Sequence, residues 1–149
     1  MSYETMQTGL RNVITKIAGY SNNNVTLGDY RVLQRGGDKV VVLSPGPFTR
    51  ERLDFAGGHQ TNWDVIVELF IKYKDDTQVH DSIRDERQNI IDKIDQYPFL
   101  DATSGCFHGM IVSGDKPAPV FGEDGSGPHY FMQEMIAKIT EQTTVTEAE

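Results

Sequence analysis

The clearest pattern in the chain is an alternation of apolar and polar residues at positions 63–73. Every odd-numbered residue of the segment WDVIVELFIKY is apolar, and three of its even-numbered residues are charged. Side chains of a β-strand point alternately to its two faces, so this spacing predicts one long strand with a fully apolar face against a core. The other face also contains Ile66 and Phe70. We therefore expect that face to be covered as well, by a helix of the same chain or by a neighbouring subunit.

Two segments have apolar residues at the three- and four-residue spacing of an amphipathic helix. The first covers residues 3–19, where Gly19 is placed to end the helix. The second covers about residues 79–96 and has a strongly charged opposite side. Tyr97-Pro98 follows it, and helices usually end before a proline. The sequence therefore predicts two helices that flank the long strand.

Shorter apolar runs before the long strand predict a β-hairpin. Residues 30–35 and 39–43 are expected to be its strands, joined by a tight turn that contains glycine. The sequence Ser-Pro-Gly-Pro at residues 44–47 is expected to end the second strand, because proline has no N–H for a central ladder. Residues 48–55 are then expected to form a separate, largely polar strand.

The second half of the chain predicts two further strands and two irregular segments. We expect strands at 106–112 and 130–139, although the pattern of the second segment also suits a helix. The residues 114–129 are rich in Gly and Pro and are expected to be a long loop, and the polar residues 140–149 a disordered tail. The sequence thus predicts an α+β domain at residues 1–139, with a mainly antiparallel sheet.

Composition narrows the possible classes of protein. A chain of 149 residues fits one domain, and a net charge of −8 opposes general binding to nucleic acid. The single cysteine, Cys106, excludes an internal disulfide and a zinc site built from cysteines. No apolar run is long enough to span a bilayer, and the first residues lack the pattern of a signal peptide. A cytosolic product is expected.

The histidine, aspartate and cysteine residues do not have the spacing of a catalytic or metal-binding site along the chain. Histidines occur at His59, His80, His108 and His129, without the spacing of metal ligands. Asp75-Asp76 is explained by capping of the second helix. Cys106 has His108 two residues on, but no third group is placed to orient it. We therefore expect no catalytic residue, no cofactor-binding residue and no metal site.

The order of these elements resembles the tail terminator (tail completion) proteins of long-tailed bacteriophages. The likeness rests on residues 40–43 with the Ser-Pro-Gly-Pro that follows, on the Trp-headed strand that begins at Trp63, on the helix at 82–94, and on the Tyr-Pro-Phe-Leu at 97–100. It covers roughly residues 3–139.

The resemblance implies a structural virion protein rather than an enzyme. Six subunits would form a ring that caps the tail tube, ends its polymerisation and presents a surface to the head–tail connector or stopper protein. Genome DNA would pass through the lumen without specific binding, and an acidic lumen would repel phosphate. The acidic face of helix 79–96 is the candidate for that lumen. The expected location is the virion, and the host cytoplasm during assembly.

A homo-oligomeric ring needs contact surfaces between subunits. We expect them on the mixed face of the long strand and in the segment 114–129. The candidate interface residues are Ile66, Phe70, Pro117, Pro119 and Phe121.

Two alternatives remain open at the level of sequence. One is another phage neck component, a stopper or adaptor at the head–tail joint. The other is a small cytosolic enzyme or ligand-binding domain. A stable ring would favour the terminator, and a monomer with a deep polar pocket would favour the enzyme or binding domain.

Overall fold

The computed structural model of the protein describes residues 3–35, 37–53, 57–102, 106–121 and 128–144. In these residues the fold is α+β, as predicted, with two α-helices and a mainly antiparallel sheet. The elements, in chain order, are α1 (Tyr3–Ile14), β1 (Val25–Leu27), a 3-10 helix (Tyr30–Arg35), β2 (Lys39–Arg52), β3 (Gly58–Lys72), α2 (Asp76–Gln96), β4 (Cys106–Gly114), β5 (Ala118–Phe121) and β6 (Pro128–Thr144).

The six described strands form one sheet in the order β1-β2-β3-β6-β4, and β5 pairs with the beginning of β6. Every pairing is antiparallel except that of β1 with β2. Strand β3 lies in the centre and pairs along its length with β2 on one side and β6 on the other. The long strand predicted at 63–73 is thus confirmed, and it begins five residues earlier, at Gly58.

The odd-numbered face of β3 packs beneath both helices. Val65, Val67 and Leu69 are fully buried there, as the alternation predicted. Helix α1 contributes Met6, Leu10, Val13 and Ile14 to this core, and α2 contributes Val79, Ile83, Ile90 and Ile94. The four-residue steps in both lists are those of one helix face, so the main core follows directly from sequence periodicity.

Local hydrogen bonds explain where the helices begin and end. The side chain of Asp75 accepts a hydrogen bond from the backbone N–H of Gln78 (2.8 Å), which caps α2. At the other end the Tyr97 N–H reaches only Ile94 O, and α2 ends there as expected. Helix α1 ends at Ile14 instead of residue 19, because the N–H groups of Lys16 and Ile17 bond three residues back, as in a tightened last turn.

The predicted hairpin of 30–35 with 39–43 is wrong. Residues 30–35 form the 3-10 helix, and the short strand β1 occupies the place beside β2 instead. The Val41 N–H donates to Asn24 O (2.8 Å) at the start of that parallel pairing. The 3-10 helix places the adjacent residues Val32 and Leu33 against the same apolar cluster. A strand could not do this, because two adjacent strand residues point to opposite faces.

The predicted strand end at 44–47 is also wrong, since β2 runs through this segment to Arg52. The ladder with β3 has one extra residue between Pro45 and Phe48, which forms a bulge. Pro45 lies where a backbone N–H would point away from β3, so its missing N–H removes no bond to that strand. The separate strand predicted at 48–55 is therefore the second half of β2, and residues 54–56 lie outside the described residues.

The segment 130–139 is a strand, as expected, but it belongs to the longer β6. The prediction of a disordered tail from residue 140 is wrong for residues 140–144, because they pair with the beginning of β3. Polar side chains match across this pairing, since Thr140 donates to Asn62 (3.0 Å) and Gln142 to Gln60 (3.3 Å). Residues 145–149 lie outside the described residues. The loop predicted at 114–129 contains β5, and its residues 122–127 also lie outside them.

Candidate assembly interface

The sheet face opposite the helices, here called the open face, is covered at one end by the chain itself. Phe70 is only 4% exposed, and its ring meets those of Tyr30 and Tyr130 edge-on at 6.4 Å. Val32, Val40 and Val42 complete this second apolar cluster. Of the two coverings expected for Phe70, the structure shows the intrachain one. Phe70 is therefore covered within its own chain.

The middle of the open face is partly exposed. Ile66 lies between Ser44 and Ile136 in the paired strands, so it keeps its place as a candidate. Next to it, Glu68 and Glu134 occupy directly opposite positions on β3 and β6. The Tyr30 hydroxyl donates to Glu68, and burial together with this carboxylate raises the pKa of Tyr30. This region therefore combines an apolar centre with unbalanced negative charge.

The remaining candidates lie on the side of the sheet formed by β4 and β5. Pro119 and Phe121 are exposed in β5, Phe121 by 64%, and Pro117 lies just before that strand. The same side has three more exposed apolar side chains, those of Phe99, Met110 and Val112. This side of the molecule is thus richer in exposed apolar residues than sequence reasoning expected.

Strand β4 has an outer edge that is only partly paired. The Gly109 N–H donates to Pro98 O (2.7 Å), so the chain that follows α2 occupies the first half of this edge. In an antiparallel pair, alternate residues direct both backbone groups away from the partner strand. Ile111 shares the outward orientation of Gly109, and no described residue bonds to its outer N–H or C=O. Residues 111–114 are therefore an edge without a partner among the described residues, and a register shift between Ile111 and Ser113 makes it irregular.

Strand β2 has a second free edge on the opposite side of the sheet. Strand β1 covers β2 only as far as Leu43. Beyond the bulge, the Leu53 N–H bonds to Gly58 O (2.9 Å), so the alternating residues Phe48, Arg50 and Arg52 direct their backbone groups outward. No described residue pairs with these groups. Residues 48–52 are thus available to another strand.

The charges near the two edges have opposite signs. The side chains of Arg50 and Arg52 are exposed and have no ion-pair partner among the described residues. Helix α2 packs beside β4 and contains six acidic and three basic residues. Asp92 and Asp95 are exposed near its end. One edge is therefore basic, and the other lies beside an acidic helix.

A partly buried polar cluster joins α2 to the beginning of β2. The Tyr20 hydroxyl donates to Glu86 (2.5 Å), and Lys39 Nζ lies 3.2 Å from the same carboxylate and 4.5 Å from the centre of the Tyr20 ring. Burial and the neighbouring Glu86 raise the pKa of Tyr20 well above its usual value. The cluster also borders a cleft of about 380 Å³ whose lining mixes lysine and carboxylate side chains. Each polar atom of the cluster has a structural partner, so we assign it to stability.

The described residues provide no group of three His, Cys, Asp or Glu side chains that could hold a metal ion. His80 packs edge-on against the Phe131 ring (5.5 Å), and His108 is exposed on β4. In the same part of the chain, neither helix combines the length and apolar character needed to cross a bilayer. No protein-family model matches the chain, and no curated protein has detectable sequence similarity to it.

Sequence reasoning missed the edge at 48–52 and its arginines. The signal was present in the Ser-Pro-Gly-Pro that precedes them, because proline is typical of edge strands as well as of strand ends. The prediction of a separate strand at 48–55 hides this edge, which exists because β2 continues past the prolines beyond the end of β1.

Proposed function

We propose that the chain is a structural subunit that assembles head to tail into a closed ring, in the manner of the phage tail terminator proteins that it resembles. In that role the ring caps the tail tube, stops its growth and presents a surface to the head connector. The observation that carries this proposal is the pair of unlike free edges on opposite sides of one sheet.

Unlike edges suit a ring because a ring repeats one heterologous contact around an axis. Each subunit then needs two different patches that fit each other. A two-fold dimer would instead use the same patch twice. The basic edge at 48–52 and the apolar edge of β4 beside the acidic α2 are different surfaces of this kind.

The charge of the chain is compatible with DNA that moves through such a ring. A net charge of −8 opposes adhesion to phosphate. The exposed acidic residues in the first half of α2, Asp81 and Asp85, remain our candidates for part of a lumen surface, as the resemblance implies. The purified protein is accordingly expected to bind duplex DNA weakly or not at all at physiological salt.

Deletion of the gene in its phage tests the proposal. We expect filled heads together with tails of abnormal, uncontrolled length that fail to join, visible by negative-stain electron microscopy. Tails of normal length that fail to join heads would point to a stopper or adaptor instead. Normal tails attached to heads would refute a role in the neck.

A further inference from the structure

We propose that neighbouring copies join by strand pairing between residues 48–52 of β2 in one copy and residues 111–114 of β4 in the next. Arg50 and Arg52 then face the acidic end of α2 in the second copy. This inference rests on the proposed function, since it specifies the contact that closes the ring.

Within β2 and β4, the free backbone groups limit pairing to these two segments. On the β2 side, β1 covers the strand to Leu43, and Pro45 has no N–H to donate. On the β4 side, Pro98 occupies the outer N–H of Gly109. Among the described residues, the β2 edge keeps a short run of outward N–H and C=O groups, and the β4 edge keeps those of Ile111 and Gly114 on either side of a register shift. Unpaired groups of this kind are a template for a strand of another chain.

The directions of β2 and β4 within one subunit are compatible with strand pairing around a ring. Strand β2 is antiparallel to β3, β3 to β6, and β6 to β4, so β2 and β4 run in opposite directions within one subunit. Rotation about an axis along the strands preserves these directions. The β2 edge of one copy therefore meets the β4 edge of the next in antiparallel orientation, the more stable form of pairing.

The proposed pairing brings side chains of opposite charge together on the helix-covered face. Phe48, Arg50 and Arg52 lie opposite the odd-numbered residues of β3 and therefore on the helix-covered face. In the next copy, α2 lies beside β4 on that face, where Arg87, Gln88 and Ile91 form a groove with residues 113–115. Asp92 and Asp95 follow these groove residues on α2 and are exposed. The two arginines can thus contact two acidic residues.

Self-pairing of the β2 edge fits less well. An antiparallel two-fold pairing centred on Arg50 would place Arg50 opposite its own copy, and one centred on Glu51 would place Arg50 opposite Arg52. Like charges directly opposite each other in a sheet are destabilising. The charges therefore favour the β4 edge as the partner.

Paired charge reversals test this contact. We expect Arg50→Glu with Arg52→Glu to weaken self-association about tenfold or more, and Asp92→Lys with Asp95→Lys to do the same. In an equimolar mixture, opposite charges meet only at seams between unlike subunits, so association should return in alternating rings with an even number of subunits. Native mass spectrometry measures both effects. The control is Arg31→Glu with Lys74→Glu, two exposed cations that belong to neither edge segment, which should leave association unchanged.

A backbone variant separates strand pairing from charge. The Arg50 N–H points away from β3, so Arg50→Pro leaves the ladder of the chain intact, whereas Arg50→Ala removes the same charge and keeps the N–H. We expect Arg50→Pro to weaken association several-fold more than Arg50→Ala, with matching thermal melts. Equal association of the two variants would refute strand pairing.

The outcomes distinguish this contact from the proposed function. Wild-type affinity in both charge-reversed variants, failure of the mixture to associate, or a wild-type protein that stays monomeric at every concentration would each overturn the contact. Loss and recovery of association as expected, together with normal tails in the gene deletion, would support the contact and refute the tail terminator role. Abnormal tails in the gene deletion, together with unchanged association of the variants, would support the tail terminator role and refute the contact.

Discussion

The two faces of the sheet are built in different ways. On the helix-covered face, apolar residues of β2, β3 and β6 meet both helices, and most are fully buried. On the open face, an apolar cluster forms only where the 3-10 helix and β5 lie, and the rest is a mixture of Ile66, carboxylates and amides. The comparison teaches that the main core needs only one face of the sheet, whereas the other face is buried at one end and stays partly exposed in its middle.

The largest expected effect comes from a charge placed on the helix-covered face. Val67 is fully buried, so Val67→Asp would bury an unpaired carboxylate and destabilise the fold by about 5 kcal/mol or more. The neighbouring Ile66→Asp, on the open face, should cost only about 1 kcal/mol. Chemical denaturation of the two variants measures the difference. A soluble Val67→Asp protein that melts cooperatively near the wild-type temperature would contradict this view of the two faces.

A smaller loss is expected in the second cluster. Phe70→Ala removes the ring that Tyr30 and Tyr130 contact, and truncation of a buried phenylalanine costs about 3 to 5 kcal/mol. Phe48 is 58% exposed and contacts Trp63 with tilted rings whose centroids lie 5.4 Å apart, so Phe48→Ala should cost about 1 kcal/mol. Equal losses in urea titrations would show that the open-face cluster contributes little to the stability of the fold.

The polar cluster at Tyr20 predicts a dependence on pH. The pKa of Tyr20 is raised in the folded state, so its contribution is fully present below the ordinary tyrosine pKa near 10 and decreases as the pH rises above it. At pH 7, Tyr20→Phe removes a hydrogen bond to a carboxylate and should cost about 1.5 to 3 kcal/mol. The difference between wild type and variant should shrink from pH 9 to pH 11 in urea titrations. A constant difference would contradict the raised pKa.

The smallest expected effect is a gain in stability on the open face. Glu68 and Glu134 are directly opposite, so Glu134→Gln removes a repulsion and should stabilise the fold by about 0.2 to 1 kcal/mol, less at high salt. Asp64 lies opposite Lys138, and Asp64→Asn should cause a loss of similar size. Thermal melts at two salt concentrations compare the variants. A loss of stability in Glu134→Gln would indicate that this carboxylate has a structural role.

Strong periodicity made the core of the fold predictable. The alternation around Val67 repeats over several pairs of residues, and the helical spacing that ends at Ile94 repeats over several turns. Both predicted elements are confirmed. The 3-10 helix was not predicted because the apolar residues of Tyr30–Arg35 also suit a short strand. Contacts with Val40 and Phe70, which are distant in sequence, decide the conformation of this segment. Strand β1 has three residues, too few for any pattern.

The candidate interface was less predictable than the core. Sequence can show that Phe70 is apolar, but the ring of Tyr130, sixty residues away, decides whether it is exposed. The availability of Arg50 depends on where β1 ends beside β2, which is a property of pairing and not of composition. Residues that act through a strand edge are hidden from sequence for this reason.

The bulge in β2 restricts how the length of this segment can vary. Before it, odd-numbered residues such as Leu43 face the helices, and after it even-numbered residues such as Arg50 do so. A side chain on Gly46 would have its Cβ 2.8 Å from Asp64 O, which ties the crossing point to glycine. Loss of Pro47 alone would remove the extra residue, so a regular ladder would keep Phe48 opposite Trp63 and Arg50 on the helix-covered face. Loss of both residues 46 and 47 would instead exchange Arg50 and Glu51 between faces. Deletion of one residue is therefore expected to be tolerated here better than deletion of two.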